Sequence, residues 1–400
     1  MVNKPDTATL PPSLAVASRV HEIAPFHVME LSKMAASLEQ AGRSIIHMGI
    51  GQPDFGAAPA VMEAAASAIA SGNTRYTSAT GLPALRGAIA RHYADRYAIE
   101  VDPSRIIVTA GASGALLLAC AALIEPGAEV LMPDPSYPCN RHFVAAFEGR
   151  AKLVPCDALQ RFQLSEASVK QHWTDTTVGV LLASPSNPTG TSIALDELQR
   201  IHAFVQKQGG FTIVDEIYLG LSYGETARSA LSIGDDIVVI NSFSKYFGMT
   251  GWRLGWLVVP PSLVGTVEKL AQNLFICAST LAQHAALACF TPEATLIFED
   301  RRTEFQRRRD YLVPELEALG FKVPVMPDGA FYIYADCSGL SDDADRMTRD
   351  MLEEVGVVIV PGLDFGPATA RTFVRISYAT SMENLREAVA RMRKFFSKNI

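Results

Sequence analysis

Residues 242–256 read SFSKYFGMTGWRLGW, with one lysine among aromatic rings and glycines. An exposed lysine, with a pKa near ~10.4, is a weak nucleophile at neutral pH. Held against Phe243, Tyr246 and Phe247, the charged form of Lys245 is disfavoured, and a neutral amine becomes available for Schiff-base chemistry. Ser242 and Ser244 precede it and Arg253 follows; hydroxyls and a guanidinium together suit a dianionic phosphate. In GASG, Gly111, Ala112 and Ser113 stand between a strand-like run and a helical one, where backbone N–H groups and a helix N-terminus face an anion. Asp215 ends the run FTIVD. A carboxylate at a buried strand end needs a partner; a protonated pyridine nitrogen fits, with an ion pair or helix cap as the plainer alternatives. Asn187 and Tyr218 can hydrogen-bond near the same ring, although SNPTG taken alone reads as a turn. Arg375, in FVRISY, is an arginine on an apolar strand and calls for a carboxylate, from the protein or from a substrate. An amine for an aldehyde, a phosphate site, and partners for a ring nitrogen and ring oxygen together match pyridoxal 5′-phosphate.

These residues need a scaffold that gathers them. From about residue 105, short apolar runs alternate with helical stretches: RIIVTA, EVLMPDPSYP, TVGVLLASPSNPTG, FTIVDEIY and DIVVINSFSK. That alternation predicts βαβ units and an α/β fold, with a mostly parallel central sheet covered by helices. Ligands of such sheets bind beyond the carboxyl ends of the strands. Ser113, Tyr137, Asn187, Asp215 and Lys245 follow five such runs and are expected on one rim. HVMELSKMAASLEQAG has helical spacing and stops at glycine. From about residue 292, long charged helices and isolated strands (GAFYIYAD, GVVIVPG, TFVRISY) predict a smaller α+β domain. The expected division is 1–50 as an N-terminal segment and part of the small domain, 51–291 as the large domain, and 292–400 as the small C-terminal domain. The Pro- and Ala-rich first twenty or so residues are expected to be mobile.

Composition narrows the classes. Of 400 residues, 48% are hydrophobic and 19% charged, which is a chain able to build a core. A net charge of -7 gives no basic footprint for nucleic acid or an anionic membrane. MVNKPDTATLPPS has no apolar stretch of the signal-peptide kind, and no run is long enough for a membrane span. Six scattered cysteines without a CxxC pair read as reduced thiols of a cytoplasmic protein. Eight histidines without HExxH-type spacing give no metal site.

From IGQPDF (50–55) to FVRISY (373–378), with SNPTG, VDEIY and SFSKYFGMTGWRLG in order between them, the chain resembles fold-type I pyridoxal-phosphate enzymes of the class I/II aminotransferase group. The resemblance implies that Lys245 forms the Schiff base and Asp215 holds the pyridine nitrogen protonated. Asn187 and Tyr218 would contact the phenolic oxygen, and Tyr137 would stack on the ring. Gly111, Ala112, Ser113, Ser242, Ser244 and Arg253 would hold the phosphate. Arg375 would clamp the substrate α-carboxylate beside the Gly51 backbone. Tyr76 would reach the phosphate of a neighbouring subunit, making a homodimer with shared active sites. Cis peptides are implied before Pro135 and Pro188. The implied reaction moves an amino group from an L-amino acid to a 2-oxo acid by a ping-pong route.

No second cation for an acidic substrate side chain stands out. The apolar HEIAPF places Phe26 at the side-chain pocket. The donor leans to neutral or aromatic amino acids, with 2-oxoglutarate or pyruvate as acceptor, and aspartate-like donors stay open. A carbon–sulfur β-lyase of the same fold would use the same lysine and aspartate. A nicotinamide enzyme is disfavoured, since TAGASGA lacks GxGxxG. A cofactor-binding regulator would need a DNA-binding domain for which the chain leaves no room.

Overall fold

The computed structural model describes residues 15–224 and 227–398. The stretch read for a leader (1–13) lies outside them, as does most of the segment expected to be mobile; farther on, Ser18–Glu22 forms a short 3-10 helix. Twelve strands occur among the described residues: β1 (Ile46–His47), β2 (Ile106–Thr109), β3 (Glu129–Asp134), β4 (Arg150–Pro155), β5 (Thr177–Ala183), β6 (Phe211–Asp215), β7 (Val238–Ser242), β8 (Gly255–Val258), β9 (Tyr332–Asp336), β10 (Val357–Val358), β11 (Val360–Pro361) and β12 (Phe373–Ser377). Seven form the central sheet in the order β2-β8-β7-β6-β5-β3-β4. Its pairings are parallel except those of β8, which runs antiparallel to β7 and β2.

The alternation of side chains builds two cores. Val180, Leu182, Val214 and Val239 pack on one face, while Leu181, Ile213, Val238 and Ile240 pack on the other. The first core runs on without a break into Met48, Phe331, Ile333 and Val374, so the C-terminal portion sits on that face. There β9, β11 and β12 make an antiparallel sheet, and β1 pairs in parallel with β10. The N-terminal segment is thereby joined to the C-terminal portion. Prolines 59, 83, 138 and 292 each stand at the first turn of a helix, where a missing N–H costs nothing. The helix read from HVMELSKMAASLEQAG spans His27–Gln40. No helix among the described residues is long and apolar enough to cross a membrane.

Asp134, Ala183, Asp215 and Ser242 are the last residues of four neighbouring parallel strands. Peptides before Pro135 and Pro188 are cis, and so is the one before Pro185.

Candidate active site

A cavity of about 480 Å³ opens at these strand ends. Ala112, Ser113, Tyr137, Asn187, Asp215 and Tyr218 line it, as do Ser242, Ser244, Lys245 and Arg253. Phe26, Gly51 and Arg375 line it as well. Gly111 lies just behind, and Tyr76 stands outside it, 79% exposed.

Lys245 Nζ donates to the Gly51 carbonyl at 2.6 Å, and sits 5.6 Å from the Tyr218 ring centre. Burial pushes its pKa down to about 8; Arg375 and Arg253 push the same way, and Asp215 opposes them. Its amine is therefore far closer to neutral than that of a surface lysine. Asp215 is 5% exposed, and Oδ1 accepts from the Ile217 N–H at 3.1 Å. Burial lifts its pKa to about 7, against the Ile217 hydrogen bond and Lys245. It makes no ion pair within bonding distance among the described residues, so the carboxylate faces the cavity in want of a cation.

Arg375 is buried between two rings, with its guanidinium carbon 4.6 Å from the Tyr332 centre and 4.9 Å from that of Phe365. Nη1 donates to Asn187 Oδ1 at 2.8 Å and Nη2 to the Gly49 carbonyl at 2.5 Å. Nε has no partner among the described residues. The expected carboxylate is thus not supplied by the protein near it, and free donors remain in a fixed plane. A guanidinium only donates, so Asn187 must present its oxygen to it. That leaves Asn187 Nδ2 to donate elsewhere.

At the other end the helix Gly111–Leu123 begins at the cavity wall. Gly111 has φ +70, and a Cβ there would stand 2.7 Å from Arg253 Nη2. Arg253 itself donates to the Thr250 carbonyl at 3.0 Å and makes no ion pair among the described residues. Ser242 Oγ accepts from the Ser244 N–H at 3.0 Å, which orders the turn leading into Lys245. Behind it, Tyr246 donates to Glu299 at 2.6 Å, and Arg96 binds both.

Some lining residues had no signal in the sequence. Tyr332 shares a 2.8 Å hydrogen bond with Tyr218, and a Cβ on Gly51 would meet its hydroxyl at 2.5 Å. Tyr218 therefore has a protein partner for its hydroxyl beyond the one expected. Met29, Ser32 and Ile50 also face the cavity. Phe26 meets Tyr137 edge to face, with ring centres 6.4 Å apart. The lining holds three cations (Lys245, Arg253, Arg375) and one carboxylate, a balance suited to anionic ligands.

A mostly parallel sheet with this lysine, aspartate and arginine at its carboxyl edge has the architecture of fold-type I transferases. The chain belongs to the aminotransferase class I and II family, whose sequence profile matches residues 43–392. It is 38% identical over 372 residues to a valine–pyruvate aminotransferase of Mycobacterium tuberculosis, covering 92% of this chain and 96% of that protein. It is 34% identical to a (5-formylfuran-3-yl)methyl phosphate transaminase of Methanocaldococcus jannaschii, covering 96% and 100%. The crystal structure of an aminotransferase from Mycobacterium tuberculosis superimposes with a TM-score of 0.93 at 37% identity, over 96% of this chain and 100% of that one. The chain is an aminotransferase, and amino transfer is favoured over carbon–sulfur β-elimination.

Proposed function

We propose that the cavity holds pyridoxal 5′-phosphate and exchanges amino groups between an apolar L-amino acid and a 2-oxo acid. The observation that best supports this is the facing pair of Lys245, depressed to about 8, and Asp215, raised to about 7, in one cavity. Each is shifted toward its neutral form, and each would be restored by one group carrying an aldehyde and a basic ring nitrogen. The phosphate end fits as well: a helix N-terminus, an Arg253 with no carboxylate, and a Gly111 whose missing side chain keeps Arg253 in place. The bound group would supply an aldehyde that takes up the amine and a ring that accepts electrons.

The chain's own part follows from the geometry. Arg375 Nε and its spare Nη donors receive the substrate α-carboxylate, in a plane set by Tyr332 and Phe365. Gly51 O holds Lys245 Nζ near that carboxylate. Lys245 Nζ, as a neutral amine, takes the substrate Cα proton and returns it. Asp215, buried at the cavity wall, would hold a ring N–H in its charged form. Asn187 Nδ2 and Tyr218 would offer hydrogen bonds to the bound group's phenolic oxygen, and Tyr137 would pack against its ring. One oxo acid leaves before the next enters, so the kinetics are ping-pong.

With Lys245, Arg253 and Arg375 engaged, no cation remains in this chain's described lining for an acidic side chain. Phe26, Met29 and Ile50 are left to meet an apolar one. Phe26→Ala is expected to shift preference away from branched donors, with KM for leucine rising ~3- to 10-fold and that for alanine unchanged. An unaltered donor profile would remove Phe26 from the pocket. Gly111→Ala is expected to weaken cofactor binding about tenfold, because its Cβ meets Arg253 and φ is positive. An absorbance titration with pyridoxal phosphate would measure this; unchanged affinity would move the phosphate elsewhere.

We read Tyr76, exposed and outside the cavity, as serving a second subunit of a homodimer. The unpaired cysteines support a cytoplasmic location. We also propose that 292–400 form the small domain together with part of the N-terminal segment 1–50, and that 51–291 form the large one. The decisive experiment is a spectrum of the purified protein before and after single amino acids without acceptor. A band that shifts while oxo acid appears, strongest with apolar donors, supports the proposal. A persistent band with ammonia released means the lyase, and no band after cofactor is added rejects the site.

A further inference from the structure

The segment 362–368 ties the end of β3 and the turn after it to other parts of the cavity wall. The Ser136 N–H donates to the Phe365 carbonyl at 2.8 Å, and Arg141 Nη2 donates to that of Asp364 at 3.0 Å. The Ala368 N–H donates to Asp134 Oδ2 at 3.1 Å. Gly366, at φ +146, lies so close that a Cβ would overlap Asp134 Oδ1. These contacts fix the segment to the end of β3 and to the turn that carries Tyr137. Phe365 lies against the Arg375 guanidinium.

Asp364 reaches the other way. The residue is 2% exposed, and its carboxylate accepts from the N–H groups of His27 (2.9 Å) and Val28 (2.8 Å). These are the first two residues of the helix His27–Gln40, whose own N-cap, Phe26, offers no side-chain oxygen. A residue more than three hundred positions away therefore caps this helix, with a carboxyl group placed at the positive end of its dipole. Asp364 makes no ion pair among the described residues, so these two bonds are its main compensation. Phe26, Val28, Met29 and Ser32, at the start of this helix, line the cavity.

We infer that Asp364 is a positioning residue that sets side-chain selectivity: it docks the helix bearing the apolar wall, while its neighbour Phe365 seats the carboxylate clamp Arg375. The two halves of substrate recognition are thereby tied to adjacent residues. This rests on the proposed amino-acid pocket.

The test uses the purified full chain with cofactor, the variants Asp364→Ala and Asp364→Asn, and two carboxylates without an amine, 4-methylpentanoate and acetate. Amide exchange is followed at His27 and Val28, and binding by calorimetry. Asp364→Ala is expected to speed exchange at both amides about tenfold and to weaken 4-methylpentanoate about tenfold. Acetate binding should hold within about twofold, since Arg375 is untouched. Asp364→Asn keeps one acceptor and should fall between; it carries the test alone if the alanine variant does not fold. Faster exchange with unchanged 4-methylpentanoate binding would make Asp364 a structural cap only, and overturn the inference. Unchanged exchange would overturn it too. Wild-type protein that binds neither carboxylate would instead reject the pocket itself, and the inference with it.

Discussion

Lys245→Ala is expected to abolish amino-group exchange, with kcat reduced by roughly 10⁴-fold or more. On the proposed reading, the substitution removes both the amine that would capture the cofactor and the base that would move the substrate Cα proton. The fold should persist, because Nζ makes a single hydrogen bond, to Gly51, and its burial is a cost rather than a gain. Circular dichroism and the melting temperature would therefore stay close to wild type. A variant with a tenth of wild-type turnover would sink the assignment. A second measurement reaches the same residue without turnover. In cofactor-free protein, the rate of aldehyde capture should rise with pH, pass its midpoint near 8 and level off above it, since Lys245 is depressed to about 8. An exposed lysine would keep gaining reactivity to above ~10.

Asp215→Asn is expected to cut kcat by roughly 10²- to 10³-fold while making the cofactor-free protein more stable above neutral pH. The amide cannot hold a ring nitrogen in its charged form. The stability gain has the opposite origin. An unfolded aspartate loses its proton near 3.8, the buried one near 7. Between these values the unfolded chain binds fewer protons than the folded one, so stability falls as pH rises through that window. Above 7 the whole cost of the buried charge persists, and asparagine escapes it. Thermal melts of the cofactor-free proteins should separate at alkaline pH, with the variant higher, and converge in acid. Loss of the Asp215 charge also removes what raises the Lys245 pKa, so the aldehyde-capture profile should move to lower pH. A variant less stable than wild type at alkaline pH would mean that the carboxylate is held by more than the Ile217 N–H.

The apolar runs located β2, β3, β5, β6 and β7 because those strands are buried on both faces and need no polar alternation. Strand β4 escaped notice: RAKLVP lies at the sheet edge, largely half-buried or exposed, and carries no apolar run. The antiparallel direction of β8 was not legible either, since a buried strand has the same composition whichever way it runs. At the site, the residues with scarce chemistry (Lys245, Asp215, Arg253, Arg375) could be picked out by type and neighbours. Tyr332 could not, because alternation along GAFYIYAD does not say which tyrosine faces a cavity and which a core. Asp364 was invisible for a related reason: its partners are backbone N–H groups of residues near the other end of the chain. A main-chain partner leaves no mark in its own sequence.

The pairing of β1 with β10 has a consequence for biosynthesis. Phe26 and Gly51 leave the ribosome early, and Arg375 follows only after more than three hundred further residues. Until β10 and β12 emerge, β1 has no strand to pair with, and the early helix lacks the carboxylate that caps it. The nascent large sheet can collapse on its own runs, but its apolar face stays open to solvent until the last elements cover it. On the proposed reading, cofactor capture would accordingly be a late event: Lys245 and Asp215 would become a buried pair only once the end of the chain closes over them.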